Sequence, residues 1–271
     1  MWCKDFIFDD ERLSSFGFMI CNFGGDSNDT WSGGDVTFTT IQSPNSDKFT
    51  YYASRFETPI SFTFSICKNP CNVQDQKDMY LSQREQSYLM RWLQKVDGYH
   101  WMAFDQEGWE DVWFNVQINP QPYYLFGNVV GYTLTCTADF PYGYSKLLKK
   151  SFTLKTSDTE NMFTIKNYSD IVGNIYPKVK LTALDNGTIR LQTGSKNNYR
   201  NTEIENVTTG TEIILDKEND FVSGIPNMNN FNYIFPILSN EYEDTDTNFI
   251  NVGEIGVQIE ITYRFIRRVS V

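Results

Sequence analysis

The stretch LSQREQSYLMRWLQKVDGYHWMAFDQEGWEDVWFNV, residues 81–116, decides how the first half of the chain folds. Ser82 precedes Glu85 by three residues, which is the spacing of a capping box at the start of a helix. Four apolar residues then recur at helical spacing and share one face, namely Leu89, Trp92, Leu93 and Val96. Asp97-Gly98 predicts the end of the helix, because glycine readily adopts a left-handed conformation.

Directly after this helix the chain is rich in aromatic residues at strand-like, alternating positions. These positions are His100, Trp101, Phe104, Trp109, Trp113 and Phe114. The carboxylates among them flank Gly108 and predict a turn rather than the paired acids of a hydrolase: Asp105, Glu107, Glu110 and Asp111. We therefore expect the helix to cover a β-rich aromatic core.

The remaining chain is mostly strand-like and predicts a mainly β protein with an α+β first domain. Alternating strands are expected at 36–41, 49–56, 60–66 and 129–139, and Pro120 and Pro122 should interrupt the sheet between the aromatic run and the next strands. The second half contains no helix pattern, and its strands are predicted at 151–155, 162–167, 178–183, 187–193, 201–207, 211–216 and 257–264. We place a domain boundary so that residues 1–148 form the first domain and 149–271 a β-sandwich.

Composition excludes several classes of partner. The formal net charge of −11 and the pI of 4.6 argue against stable binding of nucleic acid or an anionic membrane. No run of eighteen apolar residues occurs, so membrane insertion is not expected. The start of the chain lacks the basic and apolar regions of a signal peptide, which predicts synthesis in a reducing cytoplasm.

The sequence offers few residues for catalysis or for a cofactor. His100 is the sole histidine, and no G-x-S-x-G nucleophile motif or phosphate-binding glycine loop is present. A hydrolase that uses carboxylates beside aromatic residues stays open as a rival hypothesis. We predict that the protein is not an enzyme and needs no cofactor.

The sequence gives equally little evidence for a metal site. The cysteines are odd in number and irregularly spaced, unlike a disulfide framework: Cys3, Cys21, Cys67, Cys71 and Cys136. Cys67 and Cys71 resemble half a zinc site without a second half. An acidic loop could offer oxygen ligands to calcium or be simply solvated, and its carboxylates are Glu241, Glu243, Asp244 and Asp246.

Three cations follow one another along the predicted helix. Arg84, Arg91 and Lys95 recur at intervals that return nearly to the same helical angle. They are either a solvated face or a contact for an acidic partner, including a second copy of this chain. They are the candidate interface residues of the sequence.

Several motifs together resemble the distal tail proteins of long-tailed, siphovirus-type bacteriophages. In the first half they are FIF at 6–8, LSSFG at 13–17, REQSYLMRWL at 84–93 with the aromatic strand and Asp105 after it, and ADFPY at 138–142. In the second half they are YP at 176–177, GTIRL at 187–191, EIILD at 212–216 and VQIEITYR at 257–264. Residues 226–251 depart from the family pattern.

This resemblance implies a structural protein of the virion tail tip, made and assembled in the host cytoplasm. The first domain would form a ring, commonly of six copies, that joins the tail tube to the adhesion device. The second, a sandwich similar to galectins and carbohydrate modules, would hold fibre or receptor-binding proteins. A host-surface glycan is a further expected partner, and the family offers no catalytic residue to carry over. The rival hypotheses are a carbohydrate-binding protein and a cell-wall or polysaccharide hydrolase.

Overall fold

The structure is a computed structural model that describes residues 4–23, 30–42, 44, 47–73, 75–156, 161–195, 198–241 and 246–269. Its contacts divide the chain into one unit of Met1–Tyr144 with Val269–Val271 and another of Ser145–Arg268. Each unit has its own cluster of buried apolar side chains. The fold is mainly β, and the α-helix of the described residues belongs to the first unit.

The first unit is built on one antiparallel sheet. Its strands are β1 (Phe6–Phe8), β2 (Glu11–Arg12), β3 (Phe18–Cys21), β4 (Thr30–Ser32), β5 (Val36–Gln42), β6 (Phe49–Phe56), β7 (Ser61–Lys68), β8 (His100–Phe104), β9 (Trp113–Leu125), β10 (Asn128–Ala138) and β11 (Gly143–Tyr144). The main order is β2-β1-β8-β9-β10-β7-β3, with β4 beside β7 and β11 beside β9, while β5 and β6, among the strands that the structure describes, pair only with each other. Short 3-10 helices lie at Leu13–Phe16, Pro70–Asn72 and Gln76–Met79.

The predicted helix is present as α1, Gln83–Leu93, and the capping box is confirmed. Glu85 N donates to Ser82 Oγ over 3.4 Å, and Ser82 N donates to Glu85 Oε2 over 2.7 Å. Leu89, Trp92 and Leu93 are buried against the sheet. The helix therefore packs with the face that the apolar spacing predicts.

The predicted end of the helix is wrong. The helix ends at Leu93, where Gln94 N donates to Met90 O, and Val96 lies beyond it with 94% of its surface exposed. Lys95 and His100 both contact Asp9, so the chain leaves the helix early to reach the turn after β1. Residues 94–99 are consequently a connection, and Val96 is not part of the apolar face.

The predicted interruption at the prolines is also wrong, because β9 runs without a break through Pro120 and Pro122. Beyond Val116, β9 is paired with β10 alone among the described strands, so its other edge carries no described strand. Proline lacks an N–H and is tolerated where the missing donor would face away from the neighbouring strand. A proline at an open edge also discourages further strand pairing there.

The second unit is a sandwich of two antiparallel sheets. Its strands are β12 (Leu148–Leu154), β13 (Met162–Lys166), β14 (Gly173–Ile175), β15 (Lys178–Ala183), β16 (Gly187–Ser195), β17 (Asn198–Val207), β18 (Glu212–Asp216), β19 (Phe221–Ser223), β20 (Leu238–Asn240), β21 (Asp246–Asn251), β22 (Val257–Tyr263) and β23 (Ile266–Arg267), with a 3-10 helix at Met228–Asn230. The sheets are ordered β12-β22-β15-β18-β19 and β13-β21-β16-β17, and β14 pairs with β20. Buried Val179, Leu181, Ile189, Leu191 and Phe249 belong to the shared core.

Candidate assembly surfaces

The strongest candidate surface of the first unit is the two-stranded sheet β5–β6, which we call the ribbon. Nearly every residue of both strands is exposed, including large aromatic ones. Phe38, Phe49, Tyr51 and Tyr52 are 65%, 62%, 60% and 70% exposed, respectively. Large apolar side chains in contiguous exposed patches mark interaction sites in soluble proteins.

The ribbon has two chemically different faces. Phe38 pairs with Ser54, and Thr40 pairs with Tyr51. Because successive side chains of a strand point to opposite faces, most of the aromatic rings lie on one face of the ribbon. The Phe38 and Tyr51 rings meet there edge to face, with their centroids 6.2 Å apart. The opposite face carries mainly small or polar side chains, which include Thr37, Thr39, Thr50 and Arg55. The ribbon is therefore amphipathic, but its aromatic face is uncovered in the single chain.

The base of the ribbon is anchored to the rest of the first unit. Phe56 packs edge to face on Tyr142 at a centroid distance of 5.2 Å. Gly33 has a φ of +88°, and a Cβ at this position would collide with the carbonyl oxygen of Pro59. Glycine is thus required where the chain turns closely past Pro59 and enters β5. These contacts fix where the ribbon leaves the unit.

A second surface lies on the outer face of α1. Arg84, Tyr88 and Arg91 follow one another at helical spacing, and all three are exposed. Tyr88 packs on Phe16 with ring centroids 5.4 Å apart. Arg84 and Tyr88 also line a groove of about 780 Å³ whose floor includes Phe18. We call the three exposed side chains the helix surface.

The structure separates the three cations that the sequence predicted to lie along one helix. Arg84 and Arg91 belong to the helix surface, whereas Lys95 lies beyond the helix and pairs with Asp9 at 3.0 Å. Asp9 also faces His100 Nδ1 at 3.4 Å, and His100 Nε2 faces Asp97 Oδ1 at 3.0 Å. Both ring nitrogens thus meet carboxylates, an arrangement that ties the helix end to the β1–β2 turn.

Replacing Asp97 with asparagine should make the first unit less sensitive to acid. The hydrogen bond from His100 lowers the pKa of Asp97. A carboxylate with a lowered folded pKa stabilises the fold above its ordinary value of about 3.9, and this contribution is lost as the pH falls through the folded pKa. Below about pH 4 the Tm of the wild type should therefore fall more steeply than that of Asp97→Asn. Parallel Tm curves, followed by tryptophan fluorescence, would contradict this assignment.

The carboxylates that the sequence offered as catalytic candidates lie together in one connection. Asp105, Glu107, Glu110 and Asp111 lie in the connection between β8 and β9, as predicted, and Arg12 Nη1 contacts Asp105 Oδ2 at 2.7 Å. Within the described ranges, no group of three or more histidine, cysteine or acidic side chains could hold a metal ion.

The candidate calcium loop is only partly described by the structure. Glu243 and Asp244 lie outside the described residues. Glu241 accepts a hydrogen bond from Asn198 over 3.4 Å, and Asp246 begins β21. No helix in the described part of the chain is long and apolar enough to cross a membrane.

Comparison with protein families matches almost the whole chain. Residues 1–140 match a family described as "Phage tail protein N-terminal domain", and residues 142–263 match one described as "Phage tail C-terminal domain". Among curated proteins, no match is found.

Comparison with solved structures shows a related fold. The crystal structure of the Dit protein of phage SPP1 aligns with a TM-score of 0.61 over 96% of this chain and 98% of that chain, at 9% sequence identity. That protein is described as a paradigm of the hub adsorption apparatus in phages that infect Gram-positive bacteria. The likeness to distal tail proteins is thereby confirmed for the fold.

Proposed function

Because the chain belongs to the family of phage tail proteins whose N-terminal domain spans residues 1–140, we propose that it is a ring-forming subunit of the tail tip. The ring joins the tail tube to the adhesion and host-recognition device. The hub role stated for the SPP1 protein supports this assignment. Phage tail proteins of this type are typically not enzymes, and we propose that this chain likewise has no turnover and needs no cofactor.

The uncovered aromatic face of the ribbon is the observation that carries the proposal. An isolated two-stranded sheet is marginally stable in water, so the ribbon needs a partner that covers it. In a cyclic ring every subunit uses two different surfaces, one for each neighbour. We propose that the ribbon of one copy packs on its neighbour, with Phe38 and Phe49 at the centre of the contact.

The helix surface and the charge of the chain support the same arrangement. Arginine and tyrosine are enriched among residues that dominate interface energies. Arg84 and Arg91 stand out in a chain of net charge −11, so acidic surfaces of other copies or of the tail tube complement them. An acidic ring also repels DNA that passes along the tail axis.

The two units take different roles in the proposal. The first unit, with its ribbon, builds the ring, and the second projects outward to hold fibre or receptor-binding proteins. We propose that they fold independently, since each has its own buried core. Strand β12 begins at Leu148 and pairs with β22, so fragments that test this should be divided after Tyr144.

The test is to measure the size of the full chain over a range of concentrations by size exclusion with light scattering, with and without the tail tube protein. Negative-stain images should show closed rings, six copies each if the family pattern holds. Monomers under every condition, or open filaments, would contradict the ring. Hydrolysis of cell-wall polysaccharide that is lost in Glu107→Gln or Glu110→Gln would contradict the structural role.

Reversing two charges on the helix surface should weaken assembly moderately. An exposed ion pair contributes roughly 0.2–1 kcal/mol, so Arg84→Glu with Arg91→Glu should weaken association by about tenfold at low salt and less at high salt. Lys149→Glu with Lys150→Glu is the matched control, because it changes the net charge equally within the second unit. If both double variants weaken association equally, the change in net charge alone explains the effect. Association unchanged at any salt concentration would identify the helix surface as a solvated face.

A further inference from the structure

Two thiols of the first unit lie side by side on neighbouring strands. In the β3–β7 pairing, Cys21 is opposite Ser65 and Met19 is opposite Cys67, so both cysteines project from the same face as diagonal neighbours. A hydrogen bond joins the Cys21 and Cys67 side chains. Both residues are thiols in this structure.

One thiol of the pair is accessible to solvent, and the other has a lowered pKa. Cys21 is partly exposed, whereas Cys67 beside it has only 7% of its surface exposed. The hydrogen bond from Cys21 lowers the pKa of the Cys67 thiol, and thiolates are the reactive form of cysteine. Cys136 differs, because it is fully buried and burial raises the pKa of its thiol. The Cys21–Cys67 pair is thus suited to thiol–disulfide exchange.

We propose that Cys21 and Cys67 form a reversible disulfide when the protein meets a small-molecule disulfide such as oxidised glutathione. The more exposed Cys21 sulfur attacks one sulfur of the oxidant as its proton passes along the hydrogen bond to the Cys67 thiolate, forming a mixed disulfide and releasing one small thiolate. Cys67 then loses its proton, and its thiolate attacks Cys21 Sγ and expels the second small thiolate. Two protein thiols are oxidised, one oxidant disulfide is reduced, and the two protein protons pass to the released thiolates.

The bond would close a covalent loop from residue 21 to residue 67 that contains both strands of the ribbon. Diagonal neighbours stand roughly 7–8 Å apart at their Cα atoms, whereas a disulfide spans about 4.4–6.8 Å. Forming the bond therefore requires the backbone around Cys21 to shift by about 1 Å, mainly along the strand direction, and β3 lies at the end of the strand order. This chemistry does not depend on the proposed function. A tail protein assembled in reducing cytoplasm would acquire the bond after release.

Tryptic mapping of the full chain tests the proposal directly, since each cysteine falls in a different tryptic peptide. Cys21 lies in 13–48, Cys67 in 56–68, Cys71 in 69–77, Cys136 in 96–146 and Cys3 in 1–4. After exposure to oxidised glutathione we expect peptides 13–48 and 56–68 to be linked, and dithiothreitol to separate them. A link to another cysteine, or glutathione adducts alone, would overturn the proposal.

Variants and thermal unfolding provide the second measurement. Oxidation should raise the Tm of the first unit by roughly 5–10 °C in the wild type, since the bond constrains the unfolded chain. Cys71→Ser is the matched control and should keep both the link and the rise, because Cys71 is exposed in a 3-10 helix. Cys21→Ser should lose both, and it changes a side chain that is only partly buried. A Tm rise that persists in Cys21→Ser would assign the effect to another site.

Discussion

Replacing Trp92 with alanine should lower the free energy of unfolding of the first unit by about 3–5 kcal/mol. Trp92 is 7% exposed and is the centre of an aromatic cluster beneath α1. Its ring stacks on Phe6 at a centroid distance of 5.7 Å and meets Phe16 at 4.4 Å. Its Nε1 also donates to Phe8 O over 3.2 Å. Alanine would leave a cavity and remove the donor, and both losses destabilise the fold.

Tryptophan fluorescence can follow this loss in the first unit alone. All six tryptophans fall within residues 1–144, at positions 2, 31, 92, 101, 109 and 113. Denaturation of Trp92→Ala should therefore show a shifted fluorescence transition. Arg91→Ala is the matched control, since Arg91 is the exposed neighbour on the same helix and surface changes usually cost under about 0.5 kcal/mol. A loss below about 1 kcal/mol in Trp92→Ala would show that the cluster does not depend on this ring.

Trp92→Phe separates the two contributions. Phenylalanine keeps most of the aromatic contact with Phe6 but removes the indole donor to Phe8 O. The loss of one such hydrogen bond costs about 0.5–1.5 kcal/mol, so this variant should lie between the wild type and Trp92→Ala. A loss equal to that of Trp92→Ala would assign the whole effect to the hydrogen bond.

The sequence predicted those elements whose formation depends on residues close together in the chain. The Ser82–Glu85 capping box and the apolar spacing of α1 act within a few residues, so the start and the buried face of the helix were predictable. The end of the helix was not, because it depends on Asp9, which is distant in sequence and binds Lys95. Tertiary contacts overrode the stop signal at Gly98.

Strand β21 shows a second limit of prediction from sequence. Its inward residues are Thr247, Phe249 and Asn251, and only Phe249 is a typical core residue. Asn251 is buried because its Nδ2 donates to Ile255 O over 2.9 Å and its Oδ1 accepts from Gly253 N over 3.0 Å. A polar side chain whose hydrogen bonds are satisfied by the turn that follows it can be buried without contributing to an alternating apolar pattern.

The candidate site was predicted only in part. The sequence indicated Arg84 and Arg91, and both are exposed on α1, but their role stays a proposal. It predicted β5 and β6 as strands without indicating that Phe38 and Phe49 face outward. Alternating aromatic residues predict a strand with one apolar face, and only the fold shows whether that face meets a core or a partner. An aromatic ribbon that packs on another copy has the same local pattern as a buried hairpin.

Replacing Phe38 and Phe49 with aspartate should abolish assembly while the chain stays folded. Truncating a central aromatic residue of an interface commonly costs 2 kcal/mol or more, so two such changes should weaken association at least about a thousandfold. Aspartate adds the cost of bringing a carboxylate into an apolar contact. Both side chains are more than 60% exposed in the single chain, so the Tm of the first unit should stay within about 2 °C of the wild type.

The matched control for this ribbon variant is Thr39→Asp with Thr50→Asp. These changes add the same charge to the same two strands, but on the face away from the aromatic rings. Light scattering at equal protein concentration should find the control assembled and the Phe38→Asp, Phe49→Asp variant monomeric. Because the charge added is equal, the difference between the two variants isolates the aromatic face from net repulsion. Assembly of both would place the contact between copies elsewhere on the chain. Loss of assembly in both would show that the ribbon excludes charge on either face, as a strand buried between two neighbours does.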